Sequence, residues 1–193
     1  MQMRPGILLA LGCMLCGPVA LSAEVQSTEA EAAERSAQQI RQDRELADRM
    51  IGFGNAAGAR EILARLCHED GDDIACQNLG VMAMTGEGGE VDMAAGRAAF
   101  ARGCDLQLPE ACQNLADALV NGEGGPVEDV RALSLYYQLC TRGYGGRNCH
   151  RAAMMIETGR GVTEPDAAKA QEAYARACDL GFRPACQRVE TGS

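Results

Sequence analysis

The sequence has no tryptophan, and its aromatics amount to four tyrosines and three phenylalanines in 193 residues. Proline is scarce at six, and β-branched residues are few beside the alanines. So little sheet-filling material argues against a β-sandwich or a Rossmann-type sheet. The 23 glycines and abundant alanine favour closely packed helices joined by glycine turns. Lysine occurs once, at Lys169, with no serine three residues before it, so the S-x-x-K device for activating a serine is absent. No G-x-S-x-G elbow occurs either. A zinc enzyme would need His and carboxylates in a cluster, and only His68 and His150 exist, far apart in the sequence. These absences leave no catalytic residue, metal ligand or cofactor site to nominate. Positive charge is also short, 18 Lys and Arg against 27 Asp and Glu, for a formal net charge of −9. Such a chain repels phosphate backbones, and no basic stripe offsets this, so nucleic acid is not an expected partner.

Long apolar runs are missing as well. The longest, Ile7 to Leu15, is too short for a bilayer, which takes about 20 residues. With Arg4 before it, Gly17-Pro18 after it and small residues at Ala20, Ser22 and Ala23, it reads as a secretory signal at 1–23, cleaved near Ala23. A lipoprotein signal at Cys13 fits less well, because the apolar stretch before it is shorter still. The expectation is a periplasmic or secreted protein with no stable membrane insertion after cleavage.

Cysteine, by contrast, is plentiful. Cys13 and Cys16 lie in the signal; the other eight form the pairs Cys67/Cys76, Cys104/Cys112, Cys140/Cys149 and Cys178/Cys186. First members are 37, 36 and 38 residues apart and second members 36, 37 and 37, the mark of a stacked array. Other positions recur in register. Ala177-Cys178-Asp179-Leu180-Gly181 and Gly103-Cys104-Asp105-Leu106 end one helix; Glu110-Ala111-Cys112-Gln113-Asn114-Leu115 and Ile74-Ala75-Cys76-Gln77-Asn78-Leu79 start the next. The clusters Gly86-Glu87-Gly88-Gly89, Gly122-Glu123-Gly124-Gly125 and Gly159-Arg160-Gly161-Val162 stop the first helix of each unit. Asp92, Asp129 and Asp166 then stand where they could cap the second. The clusters lack the Lys-Ser/Thr ending of a phosphate loop and recur in every unit, so they read as turns.

These motifs resemble the Sel-one-like repeat (SLR) family, relatives of the tetratricopeptide repeat, and the paired cysteines are similar to its secreted, cysteine-rich Hcp-type branch. Ala116 and Ala153 stand where the family has glycine, Ala152 where it has leucine, and the aromatic expected on the first helix is missing. The resemblance implies an all-α protein, a right-handed α/α solenoid of SLR/TPR-like helix-turn-helix repeats stapled by disulfides. Its divisions would be a charged helical cap at 24–55 and a solenoid at 56–193. The solenoid would comprise a half repeat at 56–73, full repeats at 74–108, 109–145 and 146–182, and a closing half repeat at 183–190. Eight cysteines allow 105 pairings; the resemblance implies the local one, each pair joining the end of one helix to the start of the next. Zinc would want closer pairs such as C-x₂-C, and export favours oxidation. Cysteines spent in bridges leave Cys67-His68 and Cys149-His150 without a thiolate for nucleophile or metal chemistry.

In the cap, Ala33, Ala37, Ile40, Ala47 and Ile51 lie on one helical stripe that Arg44 interrupts, fitting a polar end on a solenoid. First helices of such arrays line a concave face. Gln77, Gln113 and Gln187 recur at one position of the first helix, and Asn78, Asn114, Arg151 and Arg188 at the next. Amides and guanidiniums in a ladder can pair with an extended peptide's backbone, though which position faces inward is open. Met82, Met84, Met154 and Met155 offer either a soft apolar surface or core. The expectation is a monomeric, non-catalytic adaptor for a protein or peptide. The alternative, carried by the Hcp resemblance alone, is weak β-lactam binding or hydrolysis, a β-lactamase-like protein.

Overall fold

The computed structural model describes residues 37–191; the signal, with Cys13 and Cys16, and Ala33 of the cap stripe lie outside them. The chain divides into two compact units, Met1–Gln39, of which only 37–39 are described, and Ile40–Ser193, which holds the repeats. The described residues form nine α-helices and no strand: α1 (37–52), α2 (Ala56–His68), α3 (Asp73–Thr85), α4 (Met93–Asp105), α5 (Pro109–Asn121), α6 (Asp129–Thr141), α7 (Gly146–Glu157), α8 (Ala167–Asp179) and α9 (Arg183–Thr191). Consecutive helices pack on one another along the chain, giving an all-helical α/α solenoid. The first helices of the units are α3, α5, α7 and α9; the second helices are α2, α4, α6 and α8.

Local chemistry sets the helix ends. Asp72, Asp92 and Asp166 cap α3, α4 and α8 by accepting from the backbone N–H of Ala75, Ala95 and Lys169 at 2.7, 2.9 and 3.0 Å. Asp129 departs from the expected capping role. The third second-helix starts at Asp129 itself, Glu128 occupies the N-cap with its carboxylate accepting from Arg97 and not capping the helix, and the Asp129 carboxylate takes the Arg160 guanidinium at 2.5 and 3.1 Å instead. The Glu128 N–H bonds the Leu119 carbonyl as the Asp92 N–H bonds that of Ala83, so Glu128 holds the cap register and Asp129 the first helical position, where it meets the arginine that the third loop carries in place of Glu87 and Glu123.

Four disulfides join Cys67 to Cys76, Cys104 to Cys112, Cys140 to Cys149 and Cys178 to Cys186, with Cα atoms 4.4 to 4.7 Å apart. Each ties the last turn of a second helix to the first turn of the following first helix. They support an interior of small side chains, whose bulk comes from one second-helix position, four residues before each first cysteine: Leu63, Phe100, Tyr136 and Tyr174. Gly80 fits this arrangement, since a β-carbon there would stand 2.5 Å from the Phe100 ring. The buried apolar residues form two clusters, one from Ala47 to Ala99 and one from Phe100 to Ala185. In α1, Ala47 is fully buried, Ile40 and Ile51 pack against the first cluster, and the interrupting Arg44 pairs with Asp72 at 2.6 Å.

Arginines bind each unit to its neighbour. Arg102 donates to the carbonyls of Cys67 and His68 at 2.7 and 3.0 Å, and Arg176 to those of Cys140 and Thr141 at 3.0 and 2.8 Å, completing helix ends one unit back. Arg60 and Arg97 reach one unit forward, to the carbonyls of Glu90 and Pro126 in the glycine loops.

Candidate functional site

The first helices turn one stripe outward. It runs through the second residue after the cysteine, the fifth and the ninth, positions that share a helical face. Asn78, Val81 and Thr85 occupy it on α3; Asn114, Asp117 and Asn121 on α5; Arg151 and Met154 on α7 with Thr158 at its C-cap; Arg188 on α9. Val81, Thr85, Asn121, Arg151, Met154 and Thr158 are exposed and the others partly so. The preceding position is partly covered on α3, α5 and α7 and exposed on α9. The Gln77 side chain is partly covered, with its Oε1 buried and unpartnered; Gln113 is partly buried, and Gln187 lies on the outer side of the last helix. His150, at the same register, packs between the Tyr174 and Phe182 rings at centroid distances of 5.4 and 5.0 Å. Of the four methionines considered, Met82 and Met155 are core, Met84 packs partly against it, and Met154 is on the stripe.

A second feature was invisible in the repeat alignment. Tyr136 donates a short hydrogen bond to Asp117 Oδ1, and the Arg151 guanidinium stands 3.6 Å from the same oxygen. One unit later Tyr174 donates to Glu157 Oε2 at 2.9 Å, while Arg188 pairs with Glu157 Oε1 and lies 5.2 Å over the Tyr174 ring. Each group of three therefore takes its carboxylate and hydroxyl from one unit and its guanidinium from the next. Burial, then the bonded carboxylate, pushes both tyrosine hydroxyls above their ordinary pKa, so they remain donors. Burial lowers the His150 pKa, helped by Arg151 and Arg188 and opposed by Glu157.

Two clefts flank these groups. One, about 260 Å³, lies between α5 and α7, with Val120, Met154 and Met155 as apolar wall and Tyr136, Arg151 and Arg160 as polar wall. Arg160 is held there by Asp129 and by the Val120 carbonyl at 3.0 Å. The other, about 870 Å³, lies between α6, α8 and the third glycine loop; Leu133, Val162 and Pro165 line it with Ser134, Tyr137 and Lys169. It opens where Leu133 takes the register of Arg60 and Arg97, leaving this loop without an arginine from the preceding unit. Among the described residues, no three His, Cys, Asp or Glu side chains are placed to hold a metal ion, and no helix is long and apolar enough to cross a membrane.

The Sel1 repeat family model matches residues 73–106, 109–144 and 149–182. No curated protein matches the chain. Among solved structures, a protective antigen of uropathogenic Escherichia coli with an SLR fold superimposes with a TM-score of 0.72 at 26% identity, over 81% of this chain and 34% of that one. A Sel1 repeat protein from Oxalobacter formigenes gives 0.63 at 16% identity, over 76% and 57%. Cysteine-rich protein B of Helicobacter pylori gives 0.50 at 18% identity, over 75% and 95%. The chain thus spans 57% of the Oxalobacter protein and 34% of the E. coli antigen, and at the two lower identities the likeness is one of fold alone. With three repeats matched over more than half of its length, on helices and bridges that recur in the same register, the chain belongs to the Sel1 repeat family.

Proposed function

We propose that this protein is an exported adaptor that binds a protein or peptide, as a monomer, along the stripe on its first helices, the concave face of the expected solenoid. Sel1 repeats generally serve as protein-interaction scaffolds. The observation that carries the reading for this chain is the register of the stripe. Asn78 and Val81 on α3, Asn114 and Asn121 on α5, and Arg151 and Met154 on α7 stay exposed or partly exposed outside the buried core. Gln77 and Gln113 then serve mainly as packing at the stripe's edge, Gln187 stays exposed beside it, and Asn78, Asn114, Arg151 and Arg188 carry the contacts. Photo-crosslinking amino acids at Val81 and Met154 should capture one partner in the native compartment. Capture only from Val130 and Tyr137, on the cleft side of α6, would move the interface off the stripe and overturn this reading. Substituting Asn78, Asn114 and Arg151 together should weaken that partner's binding.

Export rests on the signal read at 1–23 and on four disulfides, which need an oxidising compartment to form and persist. The division into a cap at 24–55 and repeats from 56 onward belongs to the same proposal. The mature N-terminus should be Glu24 by mass spectrometry of protein from the periplasm or medium; an unprocessed chain recovered there would refute the cleavage.

The β-lactam alternative has one observation in its favour. Ser134 and Tyr137, one turn apart on α6, line one cleft with Lys169 of α8, although Lys169 is paired with Asp166 at 3.1 Å. Turnover of a chromogenic β-lactam that is lost in both Ser134→Ala and Lys169→Met would replace the adaptor reading; absence of turnover retires the alternative.

A further inference from the structure

We propose that the cleft between α5 and α7 is a docking site for an acidic segment of a partner protein, with a carboxylate taken by Arg151 and a neighbouring apolar side chain received by Val120, Met154 and Met155. The inference rests on the reading of the stripe as a binding surface, and adds the chemistry of what binds.

Charge distribution is the first argument. The protein is acidic overall, yet its first helices are polarised. Helices α3 and α5 carry Asp73, Glu110 and Asp117 and no basic side chain. Helices α7 and α9 carry Arg147, Arg151, Arg183 and Arg188 against Glu157 and Glu190. A local positive field in a negative molecule attracts a complementary segment to one end of the stripe and repels it elsewhere, which fixes both place and polarity.

The geometry at Arg151 is the second. A guanidinium has five donors. The Arg151 side chain is 45% exposed, and its ion-pair partner stands 3.6 Å away at an oxygen that Tyr136 already occupies with a much shorter bond. Asp117 is thus committed to the tyrosine, and Arg151 keeps donors directed to solvent at the mouth of the cleft. Arg160, by comparison, spends its Nε and one Nη on both oxygens of Asp129 and on the Val120 carbonyl. The two guanidiniums divide the work: Arg160 builds the wall, and Arg151 faces the ligand.

The cleft supplies the third. Met154 is 46% exposed beside Arg151, one helical turn away, with Val120 and Met155 behind it. Thioether side chains adapt to a range of apolar shapes. A carboxylate one or two residues from a leucine, methionine or phenylalanine therefore satisfies both halves of the cleft at once.

Short random peptides displayed on phage and selected against the full, disulfide-intact chain at low salt test this. Enriched peptides should pair Asp or Glu with a nearby large apolar residue. Their affinity should fall about tenfold or more in Arg151→Gln, consistent with loss of a charge-assisted hydrogen bond, and recover in part in Arg151→Lys, which keeps the charge but loses the fork. Met154→Asp, which leaves Arg151 in place, should weaken binding comparably by setting a like charge in the cleft. Arg131→Gln, an exposed site on α6, should not. Thermal melting of each variant separates these effects from unfolding. Peptides without acidic enrichment, or acidic peptides that Arg151→Gln binds equally well, overturn the inference. If such peptides still depend on Asn78 and Asn114, the adaptor reading stands without it; enrichment of no stripe-dependent peptide sinks both.

Discussion

Gly161 lies so close to the start of α6 that a β-carbon on it would stand 2.6 Å from the Asp129 carbonyl oxygen. Its φ of +78° adds a second demand for glycine. Gly88 and Gly124 meet Ala56 and Met93, the equivalent residues two units and one unit earlier, in the same way. Gly143 has a similar φ of +80° with no atom near the β-carbon position. The pair separates backbone strain from collision. Gly143→Ala should cost about 1 kcal/mol and Gly161→Ala about 3 kcal/mol, since overpacking is added. Urea unfolding of the two variants reads the difference, and equal losses would refute the steric part.

Gln107 offers the converse experiment. It is the one non-glycine residue of positive φ (+70°) among those described, and it sits where the other full units have Gly143 and Gly181. Gln107→Gly should stabilise the protein by about 0.5–1 kcal/mol, the relief of left-handed strain exceeding the entropy of the freer unfolded chain. The Gln107 contact to Arg142, 3.2 Å and exposed, offsets little of this. A lower urea midpoint for the variant would contradict the argument.

His150 should make stability depend on pH. Its folded-state pKa lies below the ordinary value of 6.5, first because it is buried against rings and then because Arg151 and Arg188 are near. The unfolded chain therefore takes the proton first as pH falls. The contribution of neutral His150 is complete above about 6.5 and is lost on acidification from there toward the folded pKa. His150→Gln, the residue found at this register in three other units, should remove that segment of the pH dependence. Unfolding measured from pH 8 to pH 5 should show the wild type losing more stability than the variant; parallel curves would argue against it.

The bridges should not reduce together. Cys67, Cys76, Cys140 and Cys149 are buried, whereas Cys112, Cys178 and Cys186 are partly exposed. Exchange requires a thiolate to reach a sulfur, so a limited dose of dithiol, trapped by alkylation and mapped by mass spectrometry, should open Cys104–Cys112 and Cys178–Cys186 first. Replacing Cys140 and Cys149 together by alanine should cost about 3 kcal/mol.

The repeat interval, the glycine turns and the capping roles of Asp92 and Asp166 were legible in the sequence because each depends on residues a few positions apart. The orientation of the first helices was not. Whether Gln77 or Asn78 faces out depends on what α3 packs against, and the two adjacent residues have similar polarity. The bulk of the interior was also hidden, since Phe100, Tyr136 and Tyr174 do on the second helix what an aromatic on the first was expected to do. Asp129 stands one residue past the cap register, which the folded loop sets, and its partner Arg160 lies 31 residues away. The same distance concealed Arg102 and Arg176, whose acceptors are backbone carbonyls of no particular residue type.

The gap between the two apolar clusters falls within α4, where Ala99 belongs to one and Phe100 and Cys104 to the other. The arginine that would latch the end of α4 from the next unit is also replaced: Gln138 stands at the register of Arg102 and Arg176 and bonds Ser134 on its own helix. Phe100 against Gly80 and Met84 against the second cluster still bridge the gap, so the expected outcome in hydrogen exchange is two blocks that share α4, with the boundary opening before either block. Asn78 and Val81 sit on one block, Arg151 and Met154 on the other. A ligand long enough to touch all four would splice the blocks into a single melting unit, and its presence would be felt as sharper unfolding as much as later unfolding.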